Sequence, residues 1–148
     1  MDWFSPLDWA KSEIAFVAAV LLVLGSVSFL QLRVGQEKTR DAQRHADLEL
    51  VARSLDAYLG DHKILPPASS DGKIMACGNV GDKPCDWNGG PLVDSEGVVY
   101  INKLPIDPFS SKGWKYVYTV SENRLNYKII TQLEYCANHV QCNWYVAN

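Results

Sequence analysis

From Ile14 to Leu32 the chain carries 19 consecutive residues without a charge. A helix over that run, at about 1.5 Å of rise per residue, is roughly 28 Å long, close to the hydrocarbon thickness of a bilayer. No other feature limits the fold as strongly. A chain of 148 residues builds one small core, and a uniformly apolar helix of this length does not fit inside it. The run therefore reads as a single membrane-crossing segment rather than a core helix. A cleaved signal peptide is the competing reading, since Ser26-Val27-Ser28 offers a small-x-small site. Against it, the run is long for such a segment, and Asp2 and Asp8 outweigh Lys11 ahead of it. Trp3, Phe4 and Trp9 precede the run, where amphipathic rings sit at headgroup level. Ala18, Ala19, Gly25, Ser26 and Ser28 are small enough to admit a neighbouring helix closely.

The helical pattern does not end with the apolar run. Val34 to Leu59 contains no proline, and Leu48, Val51, Leu55 and Tyr58/Leu59 recur at spacings of three and four, marking one apolar face. Arg40, Asp41, Arg44, Asp47, Glu49, Arg53 and Asp56 are expected to fill the other faces. Gly60 is expected to cap the helix, and Pro66-Pro67 forbids its continuation. The pattern thus predicts one helix from about Asp8 to Leu59, apolar all round in its first half and amphipathic in its second.

The rest of the chain, 61–148, changes character. Leu65 to Asp94 is rich in Gly, Pro, Ser and Asp and reads as a long loop. Three β-like runs follow, 97–101, 114–120 and 127–133, with a short fourth at 144–146. Ser121 to Asn126 joins two of them as an antiparallel hairpin. The expected fold class is α+β: a long N-terminal helix whose amphipathic half covers one face of a small antiparallel sheet. The expected division is an interfacial segment 1–13, a membrane or filament-core helix 14–32, an amphipathic continuation 33–60 and a globular head 61–148.

Four cysteines fall as two local pairs, Cys77 with Cys85 and Cys136 with Cys142. Four cysteines allow three connectivities, and the short separations favour sequential disulfides. A zinc site is the alternative, although zinc ligands usually stand closer together. Disulfides require an oxidising compartment, which places the head outside the cytoplasm. Counting positive charges argues the other way, because Arg33, Lys38, Arg40 and Arg44 follow the apolar run.

His45, His62 and His139 are scattered and read as surface or helix-end residues. No Ser/His/Asp order, HExxH, phosphate loop or EF-hand spacing occurs. Asp94 and Glu96 form an acidic turn that offers two carboxylates to a calcium ion, and a solvated turn is the simpler reading. No catalytic, cofactor or metal residue is assigned. The net charge of -3 opposes nucleic-acid binding by a single chain. Glu13, at the very start of the apolar run, is costly there unless paired or snorkelling. It either sits among headgroups beside Lys11 or pairs with a positive group on a neighbouring subunit, setting the register of packed helices.

Local sequence adds a resemblance. Ala46-Asp47-Leu48 through Leu55-Asp56-Ala57-Tyr58-Leu59, then Lys63-Ile64-Leu65-Pro66-Pro67, resembles the end of the type IV pilin helix and its proline turn. Leu104-Pro105-Ile106-Asp107-Pro108-Phe109 resembles the turn before the sheet of type II secretion pseudopilins. Tyr116-Val117-Tyr118 and 127–134 resemble the hairpin that follows. The N-terminus departs from the family pattern: aligning Glu13 with the family's glutamate puts Asp8 where the leader glycine stands.

The resemblance implies a structural subunit of a pilus-like filament or secretion pseudopilus, not an enzyme. Phe16, Val20, Leu24 and Leu30, with Glu13, would pack helix against helix. Partners would be further copies of the chain, other pilins or pseudopilins, an inner-membrane assembly platform, and lipid before assembly; no cofactor is expected. A different reading is a membrane-anchored binding module that never polymerises, using Trp87, Trp114 or the acidic turn. A secreted enzyme is a third, with no catalytic constellation behind it.

Overall fold

The computed structural model describes residues 11–136 and 142–148. Trp3, Phe4, Trp9, His139 and the expected helix start near Asp8 lie outside the described residues. Helix α1 spans Lys11–His62. Among the described residues seven strands follow: β1 Met75–Cys77, β2 Lys83–Pro84, β3 Leu92–Val93, β4 Val99–Ile101, β5 Val117–Val120, β6 Tyr127–Leu133 and β7 Cys142–Ala147. The fold is α+β. Contacts divide the chain into two units, one up to Glu37 and a head from Lys38 to Asn148.

Among the described residues, the first unit buries no side chain of α1. Every described side chain from Glu13 to Gln36 is exposed, with Phe16 at 71% and Leu22 at 70%.

In the head the same helix is amphipathic, as its spacing predicts. Leu48, Val51 and Leu55 are fully buried and pack in one cluster with Tyr116, Tyr118, Tyr127 and Ile129 of the sheet. Burying each such side chain stabilises by about 1.5–3 kcal/mol relative to exposure. The sheet is antiparallel in the order β5-β6-β7. Its register pairs Tyr118 with Ile129 and Thr131 with Trp144. Alternation then places Tyr127, Ile129 and Thr131 on the buried face, while Lys128 and Gln132 point out. All three long β-like runs form strands, and the short fourth run belongs to β7, which completes the sheet.

The end of the helix corrects one expectation. Gly60 is not the cap: α1 continues to His62, and Lys63 adopts the left-handed conformation with φ 59°. Its N–H closes the last turn on Leu59 O at 2.9 Å, and its Nζ donates to Gly60 O at 2.6 Å. The extra residues are held because His62 docks on the head, as described below.

The stretch from Leu65 to Asp94 is also more ordered than a plain loop. It contains β1, β2 and β3, in two-stranded antiparallel pairs β1-β2 and β3-β4 that each carry an irregularity. The Cys77–Cys85 disulfide crosses the first pair. Gly81 turns this segment with φ +65°, and a Cβ there would stand 2.5 Å from Val93 O, so only glycine fits. Cys136–Cys142 closes the β6–β7 connection.

Candidate functional site

Three arrangements deserve a functional reading, and the first is the exposed apolar surface of α1. Residues Glu13, Phe16, Val20, Leu24 and Leu30 all lie on it, exposed. By length and composition α1 is able to cross a membrane. Ser26 Oγ donates back to Leu22 O at 2.8 Å, so this hydroxyl is satisfied within the helix and needs no water. That is the arrangement a polar side chain needs in an apolar medium.

The second is a buried ionic centre that overturns the expected placement of charges on α1. Asp41 and Arg44 do not face solvent; both are buried. Stepping back from Leu55, Val51 and Leu48 by the same three- and four-residue intervals reaches Arg44 and then Asp41, so they continue the apolar stripe. Arg44 Nε donates to Asp107 Oδ2 at 2.8 Å, and Nη1 donates to Asp41 and Glu134, each at 2.7 Å. Arg40 adds a second fork onto Glu134. Asp41 in turn accepts the backbone N–H groups of Glu134 and Tyr135. Burial alone would lower the Arg44 pKa, but the three carboxylates outweigh it and raise it further. Glu134 is the reverse case: burial would raise its carboxyl, and Arg40 and Arg44 hold it below its usual range.

The Leu104–Phe109 turn explains why it needs its aspartate. Asp107 Oδ1 accepts the Phe109 N–H at 2.7 Å while the same carboxylate grips Arg44. Phe109 then covers the guanidinium of Arg40, whose Cζ lies 4.6 Å from the ring centroid. Arg44 also lies over Trp114 at 4.7 Å. One motif thus seats the sheet and the helix on a common charge.

The third arrangement surrounds Asp94, which is not a solvated turn carboxylate but 2% exposed. Oδ1 accepts the N–H groups of Glu96 and Val98, both at 2.8 Å. Oδ2 meets His62 Nε2 at 3.0 Å and the Tyr100 hydroxyl at 3.2 Å. Both oxygens are therefore engaged by protein groups, and Glu96 stays exposed beside them. Burial would raise the Asp94 carboxyl, but the Val98 amide, His62 and the remaining donors hold it low. Among the described residues no group of three His, Cys, Asp or Glu side chains is placed to hold a metal ion.

The histidines differ from a plain surface reading. His62 ends α1 and stacks on Tyr58 with ring centroids 4.4 Å apart. His45 packs on Trp144 at 4.1 Å, and its Nε2 is buried with no hydrogen-bond partner among the described residues. The two cysteine pairs are sequential disulfides. Trp87 and Trp114, distant in sequence, line one depression.

The chain matches no protein-family model, no curated protein and no solved structure.

Proposed function

We propose that this chain is a structural subunit of a type IV pilus-like filament or secretion pseudopilus, held first in the membrane and then in a bundle of sister helices by residues 14–32. One observation carries the reading: every described side chain from Glu13 to Gln36 is exposed in the isolated chain, although the run 14–32 is uncharged and largely apolar. Such a surface demands either lipid or further copies of itself. The head supports the reading as well, because its helix, Leu104–Phe109 turn and β5–β6 hairpin follow one another in the order that the resembled families use. Two disulfides fit a head on the extracytoplasmic side of the inner membrane.

Glu13 sits at the start of the apolar surface, and its carboxylate sets the axial register by pairing with a positive group on the next subunit. Glu13→Ala tests this. The variant is expected to reach the membrane fraction in normal amount and to vanish from sheared surface material. Undiminished Glu13→Ala fibres would remove the register from the account.

A second reading has its own observation. Trp87 and Trp114 lie together on the head, which suits a membrane-anchored binding module that does not polymerise.

A further inference from the structure

Two depressions on the head share Gly113, Trp114 and Lys115. One, of about 400 Å³, is lined by Trp87 and Trp114 together with Lys73 and Asp86. The other, of about 300 Å³, adjoins it and reaches Gln132 and Asn143 on the outward face of the sheet.

Both indoles are held by core groups. The Arg44 guanidinium covers Trp114 at 4.7 Å, and Phe109 meets the same ring edge-on at 5.8 Å. Trp87 stands edge-on to Tyr116 at 5.3 Å, and the Tyr116 hydroxyl is anchored on Asp47 at 2.8 Å. Each indole nevertheless remains half-exposed. Large amphipathic rings that are immobilised before any ligand arrives lose little further entropy on binding.

The mixed lining points to the chemical class. Ile106, Val117 and Ile130 stand beside ammonium, carboxylate and amide groups around the two aromatic rings, which suits a ligand with both an apolar face and a polar rim. Lys73 Nζ pairs with Asp86 Oδ1 at 2.7 Å and also reaches Asp71 Oδ2 at 3.5 Å, offering a donor and acceptors side by side. Gln132 and Asn143 each both donate and accept. A pyranose matches that set: its C–H face lies on the negative face of an indole, and its hydroxyl rim takes the paired donors and acceptors. Lys115 is exposed and pairs with no acidic group among the described residues. Among the described residues it is the lining charge without an opposite partner, because Asp107 is matched by Arg44.

We propose that this double depression is a saccharide site, seating a pyranose ring against Trp87 and Trp114 and a carboxylate of the same glycan on Lys115. The site belongs to the single head, so it stands whether or not the chain polymerises.

The test uses the full chain in a zwitterionic micelle without sugar headgroups. A uronate-containing tetrasaccharide and its carboxyl-reduced counterpart are titrated by calorimetry and tryptophan fluorescence. Saturable binding of the uronate is expected, about tenfold tighter than the reduced sugar, which is the gain of one charge-assisted contact. Lys115→Ala is expected to bring the uronate down to the reduced sugar's affinity, and Trp87→Ala to abolish both. Lys115 is exposed, so its variant decides the matter even if the Trp87 variant misfolds. Absent saturation, equal affinity for the two sugars, an unaffected Lys115→Ala, or tighter binding of an acidic peptide would each overturn the proposal.

Discussion

Arg44 Nε donates to Asp107 Oδ2 at 2.8 Å, with the two side chains 0% and 1% exposed. This ion pair joins the amphipathic helix to the turn before the sheet across 63 residues of sequence. Its geometry also draws in Asp41, Glu134 and Arg40. Removing Arg44 leaves carboxylates desolvated and unmatched. Arg44→Ala is therefore expected to cost the head about 3–5 kcal/mol, read as a fall in denaturant midpoint by tryptophan fluorescence. An unchanged midpoint would show the carboxylates to be solvated instead.

Acid should loosen the head at two places, Glu134 of this centre and Asp94 beside His62 and Tyr100. Glu134 and Asp94 are held below their ordinary pKa in the folded chain. As pH falls through the ordinary carboxylate range of about 4, the unfolded chain takes up these protons first, and stability drains away. The contribution is complete at neutral pH and lost once the folded groups protonate as well. Asp47 has the opposite sign, because burial raises its carboxyl and it partly offsets this acid loss, so its replacement by Asn should steepen rather than flatten the profile. Thermal unfolding from pH 7 down to pH 3 measures both.

The two disulfides should respond differently to a reductant. Cys77 and Cys85 are buried, whereas Cys136 and Cys142 are half-exposed. Thiol–disulfide exchange needs access by the attacking thiolate. Graded dithiothreitol followed by alkylation and mass spectrometry is expected to label Cys136 and Cys142 first. Replacing Cys77 and Cys85 by Ser is expected to cost about 2–3 kcal/mol through loop closure.

Gly72 offers a backbone test. Its φ is +79°, and a Cβ there would stand 2.7 Å from Val117 Cγ1. Its carbonyl accepts the Tyr118 N–H at 2.8 Å, binding this loop to the edge of β5. Gly72→Ala is expected to destabilise the head by about 1–2 kcal/mol, whereas Gly97→Ala, with open space around it, should lose only the cost of its positive φ. Paired urea titrations of the two variants check the difference.

The periodicities of three, four and two residues were enough to place Leu48, Val51, Leu55 and the β6 alternation, because they report directly which side chains face a core. Charges on the stripe were harder. Arg44 falls in register with Leu48 and Leu55, and that register was the available sign that it would be buried. Its partners Asp107 and Glu134 are brought to it by long-range folding that no local spacing records. The burial of Asp94 is not legible locally for a related reason: the donors on its carboxylate include His62 and Tyr100, which come from the helix end and from β4. The left-handed cap at Lys63 was hidden because Gly60 is the residue that usually takes that conformation. Trp87 and Trp114 read as recognition candidates separately, and only the fold puts them on one depression.

Residues 14–32 are proposed to pack against other copies of this chain. Immunogold electron microscopy of sheared surface material, with antibody raised to the head, addresses it most directly. Long fibres labelled continuously along their length are expected, absent when Glu13 is replaced by Ala. Unlabelled fibres, or a chain recovered only as a membrane-bound monomer in mild detergent, would contradict it.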